Sequence, residues 1–145
     1  MMDFYPTAAR LADTSLPSDR TIDGHDLGPC LDGGPETRSP YDDAGFFYYM
    51  FGQLQAVRSE RWKLYLPLED RIVSTSQAAA PAPLELYDLE TDIAEQYEVS
   101  GDHADVVDRL LDLAEDARAD LGDEDRQGAD QRPAGWVENP TYQAL

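Results

Sequence analysis

The sequence predicts an α+β fold. A small antiparallel sheet of three to four strands packs against one long C-terminal helix, and a short helix and a loop precede both. Three observations predict it. Aromatic and leucine-rich runs cluster between residues 46 and 89, broken by turn residues. Apolar residues recur at helical spacing between His103 and Leu121. Each of these segments has one apolar face, and the two faces can bury each other only as stacked layers.

The elements follow in order. Residues 3–13 read as a short helix: Asp3 caps it, Pro6 falls in its first turn, and Ala8, Ala9, Leu11 and Ala12 follow. Residues 14–45 read as loop, punctuated by Asp-Gly and Gly-Gly pairs, with one helical turn from Leu27 to Leu31. Phe46 to Met50 reads as a strand that Gly52 ends. Leu54 to Arg58 and Trp62 to Leu66 read as two more, joined by a tight turn at Ser59-Glu60-Arg61. Residues 69–83 read as a second loop, ending in the semi-extended connector Ala78-Ala79-Ala80-Pro81-Ala82-Pro83. Leu84 to Leu89 alternates as a last strand. The long helix is capped by Asp102 and stopped by Gly122, and Val106, Leu110, Leu113, Ala117 and Leu121 form its apolar stripe. Val107, Leu111 and Ala114 widen that stripe, while Asp105–Arg109 and Glu115–Arg118 are spaced to pair along the helix. Residues 123–145 read as a polar tail containing Arg132-Pro133-Ala134-Gly135-Trp136.

Composition excludes several functions. The chain has 145 residues with 11 basic and 30 acidic side chains, a formal net charge of −19. Only one of the bases is a lysine, Lys63. Phosphate backbones need clustered Lys and Arg, so nucleic acid is excluded as a partner, and an anionic membrane surface repels the chain. No apolar run approaches the ~18 residues of a membrane span, and Met1-Met2-Asp3 does not begin a signal peptide. Aromatic residues are 10% of the chain, too many for a disordered polyanion. The acids are spread: residues 1–34 carry −4, 35–100 carry −7 and 101–145 carry −8. That spread suits a general surface adaptation to a salty environment.

No catalytic constellation emerges from the residues. Cys30 is the only thiol, so no internal disulfide or thiolate cluster is available. Asp26 and Asp32 flank it, and an acidic setting does not activate a thiol, so it reads as a buried or inert cysteine. Asp23-Gly24-His25-Asp26 has ligand types but no helical spacing, and reads as a turn whose carboxylates bond the backbone. Asp108, Asp112, Asp116 and Asp120 read as a solvated helix face. Residues 123–128 imitate the first half of a calcium loop, but Ala134 stands where a bidentate Glu is required.

The strings Asp3-Phe4-Tyr5-Pro6-Thr7, Leu11-Ala12, Leu16-Pro17, Ile22-Asp23-Gly24-His25-Asp26-Leu27 and Leu31-Asp32-Gly33 resemble the late part of an arylsulfatase-type sulfatase, of the alkaline-phosphatase-like superfamily. The likeness continues in Phe46-Phe47-Tyr48-Tyr49, in Gln55-Ala56-Val57-Arg58 with Trp62-Lys63-Leu64, and in Leu86-Tyr87-Asp88-Leu89-Glu90-Thr91-Asp92 with Glu95. One departure falls inside it: Gln96-Tyr97-Glu98 stand where the family often has Asn. The resemblance implies that residues 1–43 are the helix and loop ending a large catalytic domain, residues 44–122 its C-terminal subdomain, and 123–145 a tail.

It also implies a parent that hydrolyses sulfate esters with a formylglycine nucleophile and a calcium ion. The family's nucleophile is followed by Pro two residues on and Arg four residues on, whereas Cys30 is followed by Asp32 and Gly34. The family's calcium and sulfate ligands lie upstream of the matched region. The expectation is therefore a sulfatase fragment with no catalytic residue, no metal ligand and no cofactor of its own, inactive alone, whose partner is the catalytic domain. Tyr49 and Gln53 are expected at the rim of the parent's pocket, positions that also suit core or interdomain packing. Arg58 and Lys63 read as strand-edge or structural residues. The alternative is a non-catalytic interaction module that pairs with a separate catalytic chain; exposure of Phe4, Leu11 and Leu16 would mark a surface that something else covers. Parents of this type are commonly exported to the periplasm or the extracellular space, which leaves the chain's own localisation unknown.

Overall fold

A computed structural model of the chain describes residues 2–34, 37–74, 80–131 and Glu138. The first part is an arm. Helix α1 (Phe4–Leu11) buries Pro6, Thr7 and Ala9 against the loop that follows and the short helix α2 (Gly28–Leu31). Asp3 is not the side-chain cap that the sequence suggests. Its carboxylate instead accepts the His25 amide at 2.9 Å and a short hydrogen bond from the Tyr41 hydroxyl. Thr7 Oγ1 accepts the Leu27 amide at 3.0 Å, and the Arg10 guanidinium meets Asp26 at 2.9 Å. A third short helix, α3 (Tyr41–Ala44), leads into the sheet. The sequence reading leaves these residues within the loop 14–45.

The sheet has four antiparallel strands in the order β1 (Phe46–Met50), β2 (Gln53–Ser59), β3 (Trp62–Tyr65) and β6 (Glu85–Asp88). Register assigns its faces, because side chains alternate along each strand. Phe47, Val57, Leu64 and Leu86 form one row and point to the core. Phe46, Arg58, Lys63 and Tyr87 form a row on the outer face, as do Tyr48, Ala56, Tyr65 and Glu85. Helix α4 (Ala104–Asp120) closes the inner face. Leu54, Val57, Leu64, Leu66, Leu86 and Leu110 are fully buried there, with Ala114 and Ala117 allowing close approach. Each buried Leu contributes about 1.5–3 kcal/mol of transfer free energy. The α+β fold, with its sheet on a long helix, is as the sequence predicts.

Several details differ. The helix starts after His103, while Asp102 sits in a one-turn 3-10 helix (Ser100–Asp102) and caps nothing with its side chain. Leu121 is 36% exposed and falls off the apolar stripe, because the helix has ended before it. Arg109 turns to Ser59 Oγ at 2.8 Å and Glu60 at 3.6 Å, and the pairing with Asp105 that its spacing suggests gives way to these.

Part of the second loop is a two-stranded ribbon, β4 (Leu68–Arg71) with β5 (Ala80–Ala82). Alanine and proline give no strand signal there. Side-chain amides organise it instead: Gln53 Nε2 donates to the Asp70 carbonyl at 2.8 Å, Gln53 Oε1 accepts the Ile72 amide at 3.0 Å, and Gln55 Nε2 donates to the Ile72 carbonyl at 2.6 Å. Residues 78 and 79 of the connector lie outside the described residues.

The residues just after α4 are not tail-like. Strands β7 (Gly122–Asp123) and β8 (Arg126–Gln127) form a small hairpin. Asp123 Oδ1 accepts the Leu54 amide at 2.9 Å and Oδ2 accepts the Arg118 Nε–H at 2.7 Å. Gly122 has φ +94°, and a Cβ there would lie 2.7 Å from the Arg126 carbonyl oxygen, so glycine is required by both conformation and space. The string from Arg132 to Trp136 lies outside the described residues.

Candidate functional site

The outer sheet face carries the densest polar chemistry. Lys63 Nζ donates to Tyr65 Oη and Glu95 Oε1, each at 2.7 Å, and Tyr65 Oη donates to Glu95 Oε2 at 2.7 Å. Lys63 also lies 5.0 Å from the Tyr48 ring centroid, and the Arg71 guanidinium sits 4.7 Å from that of Tyr65. Burial opposes ionisation of Glu95, but its hydrogen bonds from Lys63 and Tyr65 outweigh that and hold its carboxyl below the usual range. Burial likewise opposes the Lys63 charge, and the same bonds raise its pKa overall. The single lysine is thus a paired structural cation, which agrees with its sequence reading. Glu95 holds this position with φ +54°, a left-handed backbone uncommon outside glycine. Sequence reasoning placed Lys63 and Glu95 in separate strings. The signal that joins them is the scarcity of lysine in an acidic chain, since a lone lysine pointing into an aromatic face needs a carboxylate.

The two expected rim residues sit close together at the end of the first hairpin. Tyr49 is 36% exposed and donates its hydroxyl to the Gly122 carbonyl at 2.9 Å. Burial, then the Asp123 charge, pushes its pKa up. Gln53 is buried, and its amide bonds are spent on Asp70, Ile72 and Glu124. Between them the hairpin tip exposes Met50 and Phe51, the latter 62% exposed at φ +52°.

The other candidates resolve as local structure. Asp26 Oδ1 accepts the Gly28 amide at 2.8 Å, the backbone-bonding turn read from the sequence. His25 packs edge-on against Tyr41, ring centroids 4.9 Å apart. Burial first, then the Asp3 contact, drives the Tyr41 phenol well above its ordinary pKa. Cys30 is exposed rather than buried, and its thiol donates weakly to the Arg38 carbonyl at 3.7 Å. The row Asp108, Asp112, Asp116 and Asp120 is exposed, and the described residues contain no group of three or more His, Cys, Asp or Glu arranged to hold a metal ion.

The arm presents a different surface. Phe4 is 74% exposed, Leu11 71%, Leu31 74% and Leu16 37%, with Tyr5 and Met2 beside them. α1 makes its main contacts with α2 and the loop rather than with the sheet. Isolated exposed apolar side chains are ordinary; here six of them fall on one short arm.

These features define a class: a sheet-on-helix segment with an apolar arm, whose described residues assemble no catalytic centre. No family model matches the chain. Mouse steryl-sulfatase is 46% identical over 69 residues, covering 45% of this chain and 11% of that protein. Human steryl-sulfatase is 48% identical over 58 residues, 39% of this chain and 9% of that protein. Dog N-acetylgalactosamine-6-sulfatase is 40% identical over 65 residues, 45% of this chain and 12% of that protein.

Among solved structures, a Bacteroides thetaiotaomicron protein described under the metabolism of multiple glycosaminoglycans superposes with a TM-score of 0.60 at 23% identity, covering 80% of this chain and 24% of that one. Ps i-CgsB in complex with k-i-k-neocarrahexaose gives 0.56 at 23%, covering 79% and 23%. At that identity the likeness shows the fold alone. The chain spans about a tenth of the length of the curated relatives it matches. The resemblance to sulfatases read from the sequence is borne out over that stretch.

Proposed function

We propose that this chain is the C-terminal segment of a sulfatase, a supporting subdomain whose sulfate-ester chemistry resides in sequence outside these residues. One observation carries the reading: identities of 40–48% to sulfatases fall on 9–12% of the length of those proteins. The exposed apolar arm supports it, because Phe4, Leu11 and Leu31 have the character of a face cut from a larger core.

The residues present do not fit the family's cofactors. Cys30 lacks the following Pro and Arg, and the carboxylates of the described residues are engaged in ion pairs and turns or spread along a solvated face. Cleaving a sulfate ester needs a nucleophile and cations around a doubly charged group. The Lys63 ammonium is committed to Glu95 and the net charge is −19. In this reading Tyr49 and Gln53 edge the parent's pocket, with Gln53 acting by holding the ribbon and the hairpin in place. Nucleic acid and anionic membranes are not partners, on the charge argument given above. Export belongs to the parent. Among the described residues no helix is long and apolar enough to cross a membrane.

The purified chain is expected to show no turnover of 4-nitrophenyl sulfate. Turnover abolished by Cys30→Ala or by a chelator refutes the reading. The exposed arm fits the alternative equally, a module docking on a separate catalytic chain. The DNA upstream separates them: a continuous frame bearing Cys-any-Pro-any-Arg supports one parent, and a stop codon just upstream supports two chains.

A further inference from the structure

The chain contains two Asp-Gly steps, Asp23-Gly24 and Asp32-Gly33, and its one asparagine, Asn139, is followed by a proline that has no N–H. A glycine amide next to an aspartyl carboxyl is a nucleophile within reach of it, because no Cβ shields the nitrogen. The structure treats the two steps differently.

Asp23-Gly24 is locked. Gly24 is buried, and a Cβ on it would stand 2.2 Å from the Met2 carbonyl oxygen and 3.0 Å from the Asp3 nitrogen. The following amide, that of His25, is held by the Asp3 carboxylate at 2.9 Å. Bringing the Asp23 carboxyl onto the Gly24 nitrogen requires the peptide between them to turn, and the backbone of Met2 and Asp3 fills the space that the turn needs.

Asp32-Gly33 is open. Asp32 ends α2, a single turn that buries only Gly28. Its side chain is 74% exposed, and Arg10, 3.8 Å away, is drawn more closely to Asp26 at 2.9 Å. Gly33 has φ +74°, and nothing lies within 4 Å of where a Cβ would stand. Among the described residues no acceptor takes its N–H. Nucleophile and electrophile are therefore adjacent, and turning the peptide between them disturbs no packed neighbour, the condition for cheap local opening.

We propose that Asp32 is a site of spontaneous isomerisation to isoaspartate. The Gly33 nitrogen bonds to Asp32 Cγ as the protonated carboxyl loses its hydroxyl, which leaves as water with the amide proton, and a cyclic imide closes. Water then reopens the ring. Attack at Cγ restores aspartate. Attack at the main-chain carbonyl carbon leaves Gly33 linked through Cγ, with a free α-carboxylate. No oxidant is consumed, and the charge after ring opening equals the charge before. The product carries an extra methylene in the main chain directly after the exposed Leu31. The inference goes beyond the proposed parentage and does not rest on it.

The test incubates the full chain for several weeks in mildly acidic buffer, with a second sample unfolded in urea. Trypsin, cutting after Arg20 and Arg38, releases residues 21–38 with both steps in one peptide. Electron-transfer fragmentation distinguishes the two backbone linkages and reads each position. In the folded chain isoaspartate is expected at Asp32 at least fivefold above Asp23, and in urea the two positions come within twofold. Asp32→Glu, an exposed change whose ring would be one atom larger, removes the Asp32 product and leaves Asp23 as it was. An isoaspartate methyltransferase with labelled S-adenosylmethionine gives a second count, expected to fall to the background of fresh protein in that variant. No isoaspartate at Asp32 in the folded chain overturns the proposal. So does an equal or greater yield at Asp23, or a methyl count that survives Asp32→Glu. A fivefold bias that persists in urea overturns it too, since local sequence rather than the fold would then select the site.

Discussion

Asp123→Ala is the substitution that most directly probes how the body is fastened. Asp123 is 13% exposed at its side chain and accepts the amide of Leu54, a residue with no exposed surface. Its other oxygen holds Arg118 at 2.7 Å. Truncation leaves a buried N–H without an acceptor, at about 1–3 kcal/mol. It also removes a partly exposed ion pair, at up to ~1 kcal/mol. The expected loss is therefore about 1–4 kcal/mol.

The control is Asp125→Ala at the hairpin turn, which removes the same charge from an exposed position and is expected within ±0.5 kcal/mol. Urea unfolding followed by tryptophan fluorescence measures both, since Trp62 packs against the core and His103. Equal midpoints for the two variants would falsify the clip.

The pH dependence has a definite sign. Burial opposes Asp123 ionisation, but the Arg118, Leu54 and Glu124 hydrogen bonds outweigh it and lower its pKa below the ordinary 3.8. Its contribution is complete above that value and is lost as pH falls through the lowered one, so wild type and Asp123→Ala converge in acid.

Three further outcomes follow from the same structure. Leu110→Ala opens a cavity between α4 and β2–β3 and is expected to cost about 2–5 kcal/mol by the same denaturation assay; under 1 kcal/mol would mean that the helix is not seated on the sheet. Gly122→Ala forces a Cβ to 2.7 Å from the Arg126 carbonyl at φ +94°, so a loss above about 1 kcal/mol and faster hydrogen exchange at the Leu54 amide are expected; unchanged exchange refutes the coupling. Raising salt from 0.01 to 0.15 M shortens the screening length from about 30 to 8 Å, and the melting temperature is expected to rise as the exposed acids stop repelling; a fall contradicts the solvated-face reading.

The sheet was legible because its signals are local. Aromatic runs, Gly52 and the Glu60 turn specify hairpins from neighbouring residues alone, and the α4 stripe declares itself over five turns. What escaped depends on partners distant in sequence. Asp3 resembles a helix cap, yet it bonds His25 and Tyr41, 22 and 38 residues away. Asp102 has the right position for a cap, but a 3-10 turn intervenes. The β4–β5 ribbon follows from glutamine amides on β2, which no propensity of alanine or proline encodes. Cys30 read as buried or inert because Asp26 and Asp32 flank it and do not activate a thiol; the arm leaves it exposed. Tyr49 and Gln53 were expected at a pocket rim; the internal bonds that occupy Gln53 were not legible.

The first three strands of the sheet precede in the chain the elements that cover their inner face. β1, β2 and β3 are complete by residue 65, but Leu110 and Asp123, which close their inner face, come 45 to 58 residues later. During synthesis at about 5–20 residues per second, the face of Phe47, Val57 and Leu64 waits several seconds without its helix. β1 is an edge strand with the sequence Phe-Phe-Tyr-Tyr-Met, free of charge and of proline, the composition that invites pairing with another nascent chain. Residues 1–34, which emerge before the sheet, carry −4, and the next 66 carry −7. The acids thus act before the fold exists, keeping half-made sheets apart until α4 arrives.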